Sequence, residues 1–537
     1  MKRRRSLLVV AVTTLALLGA ACGDDDADDG ATATTQPPGG ATTAPSGDAG
    51  GGGDDADIDP NGVLRITYDL ATTGGFHLDP ILSTSPNDFN LQRLIYGNLL
   101  HKTIEGDYEP DLAESATVVD PQTITVTLRE GLQFSDGTPL DAEAVKASIE
   151  RIKASNNVRT FRVEIAQVEE VEVTSPTDLT IHLATPIAGV FYDLLAYGET
   201  FVFPPQPAAN FDAAPIGAGP FMLESYTPEQ SLRLVKNPNY WNADAIRLAG
   251  VEWVQASAGP PQVNALRSGA ADAAALDATL LDSLQGTDVE VVNEPSDSSF
   301  IWFPTCKSTP PFDDVRVRQA LIYALDRDAM TESLTGGAGE PMRGFWTSKS
   351  RFFNPELADS YPHDPERARQ LLAEAGQENL RFDVMVVPQP LLVRFAEIAQ
   401  QQWAEVGVTA NLIQTPNIVQ DFYTDRKAPL AASPLNRFGL DKVTRNLTPG
   451  SIGNTCDYNN PELNELVAQL RGVDQTSDEA VELWHQIDKL TFDEALAIYG
   501  IFVTQPYAWS PDVGGVVFVP DVFGRIQLDP RQAYIKA

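Results

Sequence analysis

The chain has 537 residues, more than one hydrophobic core sustains, and its 43% hydrophobic and 8% aromatic content suits two or three packed lobes and excludes wholesale disorder, a collagen-like repeat or a coiled coil. Lys+Arg total 38 against 74 Asp+Glu, a formal charge of −36 that repels phosphate backbones and argues against a nucleic-acid partner. The three cysteines lack C-x-x-C spacing and the five histidines are scattered with no H-E-x-x-H, so neither a metal nor a cofactor is expected.

In chain order, the first element is a leader. Lys2 to Arg5 carry four positive charges, Leu7 to Ala21 form an apolar run, and Gly19-Ala20-Ala21 precede Cys22. The run is about 15 residues, short of the ~20 that span a bilayer, so residues 1–21 are expected to be a cleaved signal peptide. Its end resembles a bacterial lipobox, with Gly19 where an aliphatic residue is usual, and implies lipidation of Cys22. Residues 22–60 are Asp, Gly, Thr, Ala and Pro with Ile58 as the one large hydrophobe, an acidic tether that cannot bury a core. As a Gly-rich coil it spans ~35 Å.

The body begins near Val63. Ile124, Val126 and Leu128 alternate with threonines, as Leu179, Ile181 and Leu183 alternate with Thr180 and His182, and both stretches predict half-buried antiparallel strands of one small sheet. Between them Asp141 predicts a helix N-cap, with Val145, Ile149 and Ile152 on one face. Gly217 and Gly219 in GAGPF predict a tight backbone bend, and NPNYW at 237–241 ends a strand with Trp241 on a core. Further helices are predicted from Asp313 or Asp314, from Asp364-Pro365 to Gly376, on the stripe Phe395-Ala399-Trp403 ended by Gly407, and from Asn460-Pro461. A strand-rich 60–300 and a helix-rich 310–500 point to an α/β body of at least two lobes.

Several stretches carry a resemblance: LDP at 78–80, IYGNLLHKTIEGDYEPDLAES at 95–115, LREGLQFSDGTPLDAEAVKASIERI at 128–152, PIGAGPFMLESYTPEQSLRLVKNPNYW at 215–241, PPFDDVRVRQALIYALDRDAM at 310–330, DPERARQLLAEAG at 364–376 and YNNPELNELV at 458–467. In this order they resemble the peptide/nickel-type family of extracytoplasmic solute-binding proteins, the receptors of ABC importers. The resemblance implies a two-lobed, periplasmic-binding-protein-like α/β fold with hinge strands. The first lobe would take 61–103, 205–302 and 503–537, an inserted subdomain 104–204, and the second lobe 303–502. It implies a monomer, exported and lipid-anchored on the outer face of the cytoplasmic membrane, that closes on a di- or oligopeptide and delivers it to a membrane permease.

Peptide receptors of this kind commonly meet the ligand ammonium with a carboxylate. The corresponding stretch here, ASPLNRFGLDKVTRNL at 432–447, lacks the usual Asp-Pro. Asp441 is its only carboxylate, and Asn436 and Arg437 accompany it, Arg437 suiting a ligand carboxylate. Phe345 and Trp346 in GEPMRGFWTSKS, Phe76 before LDP, and Trp302 beside the lobe crossover are candidate aromatic walls, with core packing as the competing role. Cys306 and Cys456 would form one disulfide, as export favours, or stay as two buried thiols. The competing functions are a same-fold receptor for chelated nickel, haem or an oligosaccharide, and an exported hydrolase, for which neither G-x-S-x-G nor a Walker-type glycine loop is present.

Overall fold

The computed structural model of the chain describes residues 57–537 except 71–75, 84–85, 105, 156–161, 206–210, 437–438, 452 and 521–525. The expected signal peptide, Cys22 and most of the tether lie outside the described residues, as does Arg437.

Three sheets organise the body. The first has seven strands in the order Glu290–Val292, Tyr507–Trp509, Ala273–Ala275, Val63–Tyr68, Gly250–Gln255, Ser231–Lys236 and Phe221–Thr227. Val63–Tyr68 lies parallel to Gly250–Gln255 from Val63↔Gly250 to Tyr68↔Gln255, and parallel to Ala273–Ala275 on its other side. Helix Pro260–Arg267 carries the chain across between those two flanks.

The second sheet has four antiparallel strands, Ala113–Asp120, Thr123–Leu128, Asp178–Leu183 and Val168–Val173. The two alternating segments are neighbours, paired Ile124↔Ile181 and Val126↔Leu179. Their six aliphatic side chains are all buried, because period two puts every second residue on the covered face. Helix Ala142–Ala154 lays Val145, Ile149 and Ile152 into the same core, and the Asp141 carboxylate accepts from the Ala144 N–H as its cap.

The third sheet has six strands: Glu340–Pro341, Ala497–Thr504, Pro295–Pro304, Leu430–Asn436, Arg381–Val386 and Thr409–Gln414. Its helices start where the sequence predicts, with Asp314, Asp364 and Asn460 each accepting a backbone N–H of the first turn. Gly376 and Gly407 leave the helices Pro365–Glu374 and Pro390–Glu405 with φ of +67° and +88°. Phe395, Ala399 and Trp403 are fully buried.

Pro295–Pro304 and Ala497–Thr504 pair antiparallel within the third sheet. Immediately beyond their ends, Glu290–Val292 and Tyr507–Trp509 pair again within the first sheet. These paired crossings are the hinge strands of a two-lobed fold, and the four-stranded unit is the insertion in the first lobe.

One local expectation gains a second cause and another needs correction. Gly219 lies in the expected bend at 218–220, and both Gly217 and Gly219 also make close backbone approaches. A Cβ on Gly217 would stand 2.2 Å from the Ile95 carbonyl oxygen, and one on Gly219 2.5 Å from that of Leu94. Their loop caps helix Pro86–Tyr96, with Gly219 N–H donating to Ile95 O at 2.8 Å. Trp241 is 37% exposed, and Tyr240 is the buried ring. The Trp241 indole N–H donates to Asp111 at 3.0 Å while Arg129 covers its face at 3.8 Å, so hydrogen bonding and a cation–π contact hold it at the surface.

Candidate functional site

The third sheet has a switch point. From Arg381–Val386 the chain passes through helix Pro390–Glu405 to Thr409–Gln414 on one side, then returns as Leu430–Asn436 on the other side, parallel to Arg381–Val386. Open α/β sheets bind ligands in the crevice outside strand carboxyl ends at such a point. There Leu430–Asn436 ends and leads to the seven-residue helix Asp441–Leu447. The first sheet has an equivalent place, where Val63–Tyr68 ends between two parallel neighbours and Asp69 accepts from the Gln255 side chain at 3.2 Å.

A cavity of about 430 Å³, open solvent included, lies between the insertion and the second lobe. Glu164, Val190, Asp193 and Tyr197 line one side, and Leu440, Asp441, Thr444 and Arg471 the other. The Asp441 side chain is 24% exposed, accepts from the Thr444 hydroxyl at 3.4 Å and stands 3.8 Å from Arg445. Burial raises the Glu164 carboxyl above its ordinary value, and the charge of Asp441 adds to the rise. Arg471 opposes it from 4.0 Å. Asp193 takes a hydrogen bond from Tyr108 and one from Lys102 at 2.6 Å. Burial lowers the Lys102 ammonium and Asp193 counters it. A Cβ on Gly439 would lie 3.3 Å from Asp193, so the chain leading into Asp441 runs against this acid. Three carboxylates against Arg471, with Lys102 paired to Asp193 behind them, make an acidic solvent-open cleft whose charge suits a cation beside the Tyr197 ring.

The expected residues divide. Asp441 lines the cavity. Asn436 forms a backbone pair with Ser299 of the first hinge strand. Phe76 is buried against Tyr68 at 5.1 Å, beside the carboxyl end of Val63–Tyr68, and its N–H donates to the Tyr226 hydroxyl at 2.6 Å. Trp302, Phe345 and Trp346 come together in the second-lobe core. Trp302 packs edge-on to Phe345 at 6.2 Å and Trp346 edge-on to Trp484 at 4.9 Å, and none of the three lines the cavity. Cys306 and Cys456 are joined in a disulfide with Cα atoms 5.3 Å apart. Glu164, Asp193, Tyr197 and Arg471 are cavity residues that no sequence motif singles out. Among the described residues no group of three or more His, Cys, Asp or Glu side chains is placed to hold a metal ion, and no helix is long and apolar enough to cross a membrane.

Next along the chain from Asp441, Lys442 reaches a buried strap. Asp488 accepts the Phe345 N–H at 3.0 Å, and the Lys442 ammonium donates to the Phe345 carbonyl at 2.6 Å while sitting 3.6 Å above the Trp346 ring. The Thr347 N–H and hydroxyl donate to Asp297 of the hinge strand at 2.8 and 2.6 Å. Burial pushes Lys442 down to about 8 against the pull of Asp297 and Asp488, and pushes Asp488 up to about 7 against the Phe345 N–H and Lys442.

Residues 107–441 match the profile described as bacterial extracellular solute-binding proteins, family 5 middle. The chain is 26% identical over 480 residues to the glutathione-binding protein GsiB of Escherichia coli (strain K12), covering 83% of this chain and 90% of that one. Its fold is similar to the unliganded open form of MppA, a periplasmic murein tripeptide binding protein, with a TM-score of 0.77 at 19% identity over 90% of this chain and 98% of that one. It is also similar to NikZ of Campylobacter jejuni in complex with Ni(L-His), with a TM-score of 0.67 at 19% identity over 88% and 99% of the two chains.

Proposed function

This chain belongs to family 5 of the bacterial extracellular solute-binding proteins of ABC importers, and from that premise we propose that its solute is a di- or oligopeptide, held between the lobes and passed to a membrane permease. The observation that carries this reading is the cavity at the carboxyl end of Leu430–Asn436, where Asp441 stands among further carboxylates and an arginine. Such a site suits the ammonium end of a peptide. The relatives named for glutathione and a murein tripeptide support the same solute class.

In this reading Asp441 meets the ammonium, Asn436 and Arg437 meet the ligand backbone and carboxylate, and Phe76 contributes from the first lobe. Trp302, Phe345 and Trp346 support the wall from behind. Closure is a population shift, driven by tighter binding to the closed form. The lobe boundaries fall at 61–103, 205–302 and 503–537 for the first, 104–204 for the insertion and 303–502 for the second. The protein acts as a monomer without catalysis, after removal of residues 1–21, lipid-anchored through Cys22 on the outer face of the membrane.

The test is native mass spectrometry of the purified chain, with fragmentation of what it releases. A series of peptide masses supports the reading. A single chelated metal, haem or sugar mass replaces the peptide with that solute, and turnover of added peptides or esters overturns the receptor altogether.

A further inference from the structure

Asp441 sits between two anchors. On its N-terminal side Asn436 pairs with Ser299 of the hinge strand Pro295–Pro304. On its C-terminal side Lys442, fully buried, donates to the Phe345 carbonyl. Two residues further along the strap, Thr347 binds Asp297 through its N–H and its hydroxyl. Asp297 is two residues from Ser299 on the same strand. The path Ser299–Asn436, then Lys442–Phe345, then Thr347–Asp297 is therefore a closed ring of bonds that begins and ends on the hinge.

The strap is held on both sides of one residue. Phe345 gives its N–H to Asp488 and its carbonyl to Lys442. Its neighbour Gly344, at φ +148°, passes so near Asp488 that a Cβ there would stand 2.8 Å from Oδ2. Trp346 is fixed between the Lys442 ammonium and Trp484. A strap gripped at these points inside a packed core passes displacement on rather than absorbing it.

We propose that Lys442 is a positioning residue that couples the solute-facing end of helix Asp441–Leu447 to the hinge strand through the Phe345–Thr347 strap and Asp297. The inference rests on the reading of Asp441 as solute-facing. Its test needs no solute, so failure of the coupling and failure of the peptide reading are separate results.

Hydrogen–deuterium exchange of the full chain compares wild type with Lys442→Met, Lys442→Arg and Lys442→Met/Asp488→Asn. Lys442→Met is expected to speed exchange at least tenfold at 345–347, at 439–446 and at 297–299 together. Strands Ser231–Lys236 and Gly250–Gln255 of the first sheet keep wild-type rates. Lys442→Arg, which retains a charged donor, keeps protection at 297–299. The double variant also removes Asp488, one of the two carboxylates facing Lys442, so it recovers part of the lost melting temperature yet still lacks hinge protection. A loss confined to 439–446, a loss spread through the whole lobe, or hinge protection that returns with the melting temperature in the double variant overturns the proposal.

Discussion

Replacing Arg531 by Met removes the partner of a buried charge. Asp529 is 1% exposed. It receives the Arg531 guanidinium through Nε at 2.9 and 3.1 Å and through Nη2 at 2.7 Å. Asp111, the other acid near Arg531 at 3.8 Å, keeps hydrogen bonds from Tyr240 and Trp241, so Asp529, left with the residue 531 N–H, carries most of the loss. Two charge-assisted hydrogen bonds are worth ~1.5–3 kcal/mol each, and breaking a buried pair by removing one partner costs about 3–5 kcal/mol. We take the second range, which lowers the melting temperature of the first lobe by roughly 6–20 °C. The effect carries a pH signature. In the wild type burial works to raise Asp529, but the Arg531 charge and hydrogen bonds win and hold it well below the usual range. Its stabilisation is thus present above about pH 4 and is lost only as acid reaches the depressed folded value. In the variant burial is opposed only by the weaker influences of Arg93, His101 and the residue 531 N–H, so the folded value rises and the penalty, present at neutral pH, fades as pH falls. His101, pushed down to about 3 by burial first and then by Arg531, loses the second of these influences and faces Asp529 from 3.9 Å. Calorimetry at pH 8 and pH 5 should show the gap to wild type shrinking by at least half, and Asp529→Asn should recover most of it at pH 8. An equal gap at both pH values, or no recovery, would refute the reasoning.

Gly217→Ala pushes a Cβ into the Ile95 carbonyl at 2.2 Å and is expected to cost at least ~3 kcal/mol. Gly131→Ala, at φ +71° with nothing within 4 Å, should cost only ~1 kcal/mol, and a thermal shift comparison separates the two. Reduction of Cys306–Cys456, or their joint change to Ser, opens a loop of 150 residues and should destabilise the second lobe by about 5 kcal/mol in the chain-entropy account, read as an earlier second-lobe transition in guanidinium. Asp441→Asn removes one charge-assisted hydrogen bond of ~1.5–3 kcal/mol. It should therefore weaken binding of the recovered peptide about 10- to 150-fold by isothermal calorimetry without moving the melting temperature of the unliganded protein.

What the sequence shows of this molecule is what repeats locally. Ile124 to Leu128 and Leu179 to Leu183 can be read as strands because period two is visible within six residues, and the Asp-Pro and Asn-Pro caps sit next to the helices they start. The two-lobed plan follows from family motifs in order. The cavity is less legible because its pairings join remote positions. Lys102 meets Asp193 across 91 residues, and Phe345 meets Lys442 across 97 and Asp488 across 143. Nothing in a lysine's immediate neighbours reveals that its partner lies more than ninety residues away. The aromatics make the same point. Trp346 in its loop has the composition of a pocket wall, yet its position depends on Trp484, which arrives on a later helix. Tyr240 and Trp241 are adjacent, and only the placement of Asp111 and Arg129 decides which ring faces outward.

The strand order of the first sheet has a consequence for biosynthesis. Glu290–Val292 is joined to the rest of that sheet only through Tyr507–Trp509, which lies between it and Ala273–Ala275. On a ribosome the second lobe can be made in full while this gap is still open. Until residues 507–509 emerge, two strands present unpaired edges, the kind of surface that recruits foreign strands. Stalled synthesis beyond the second lobe therefore leaves a chain with one finished lobe and one adhesive one. Closure of the first sheet thus waits on one of the last segments of the chain, residues 507–509.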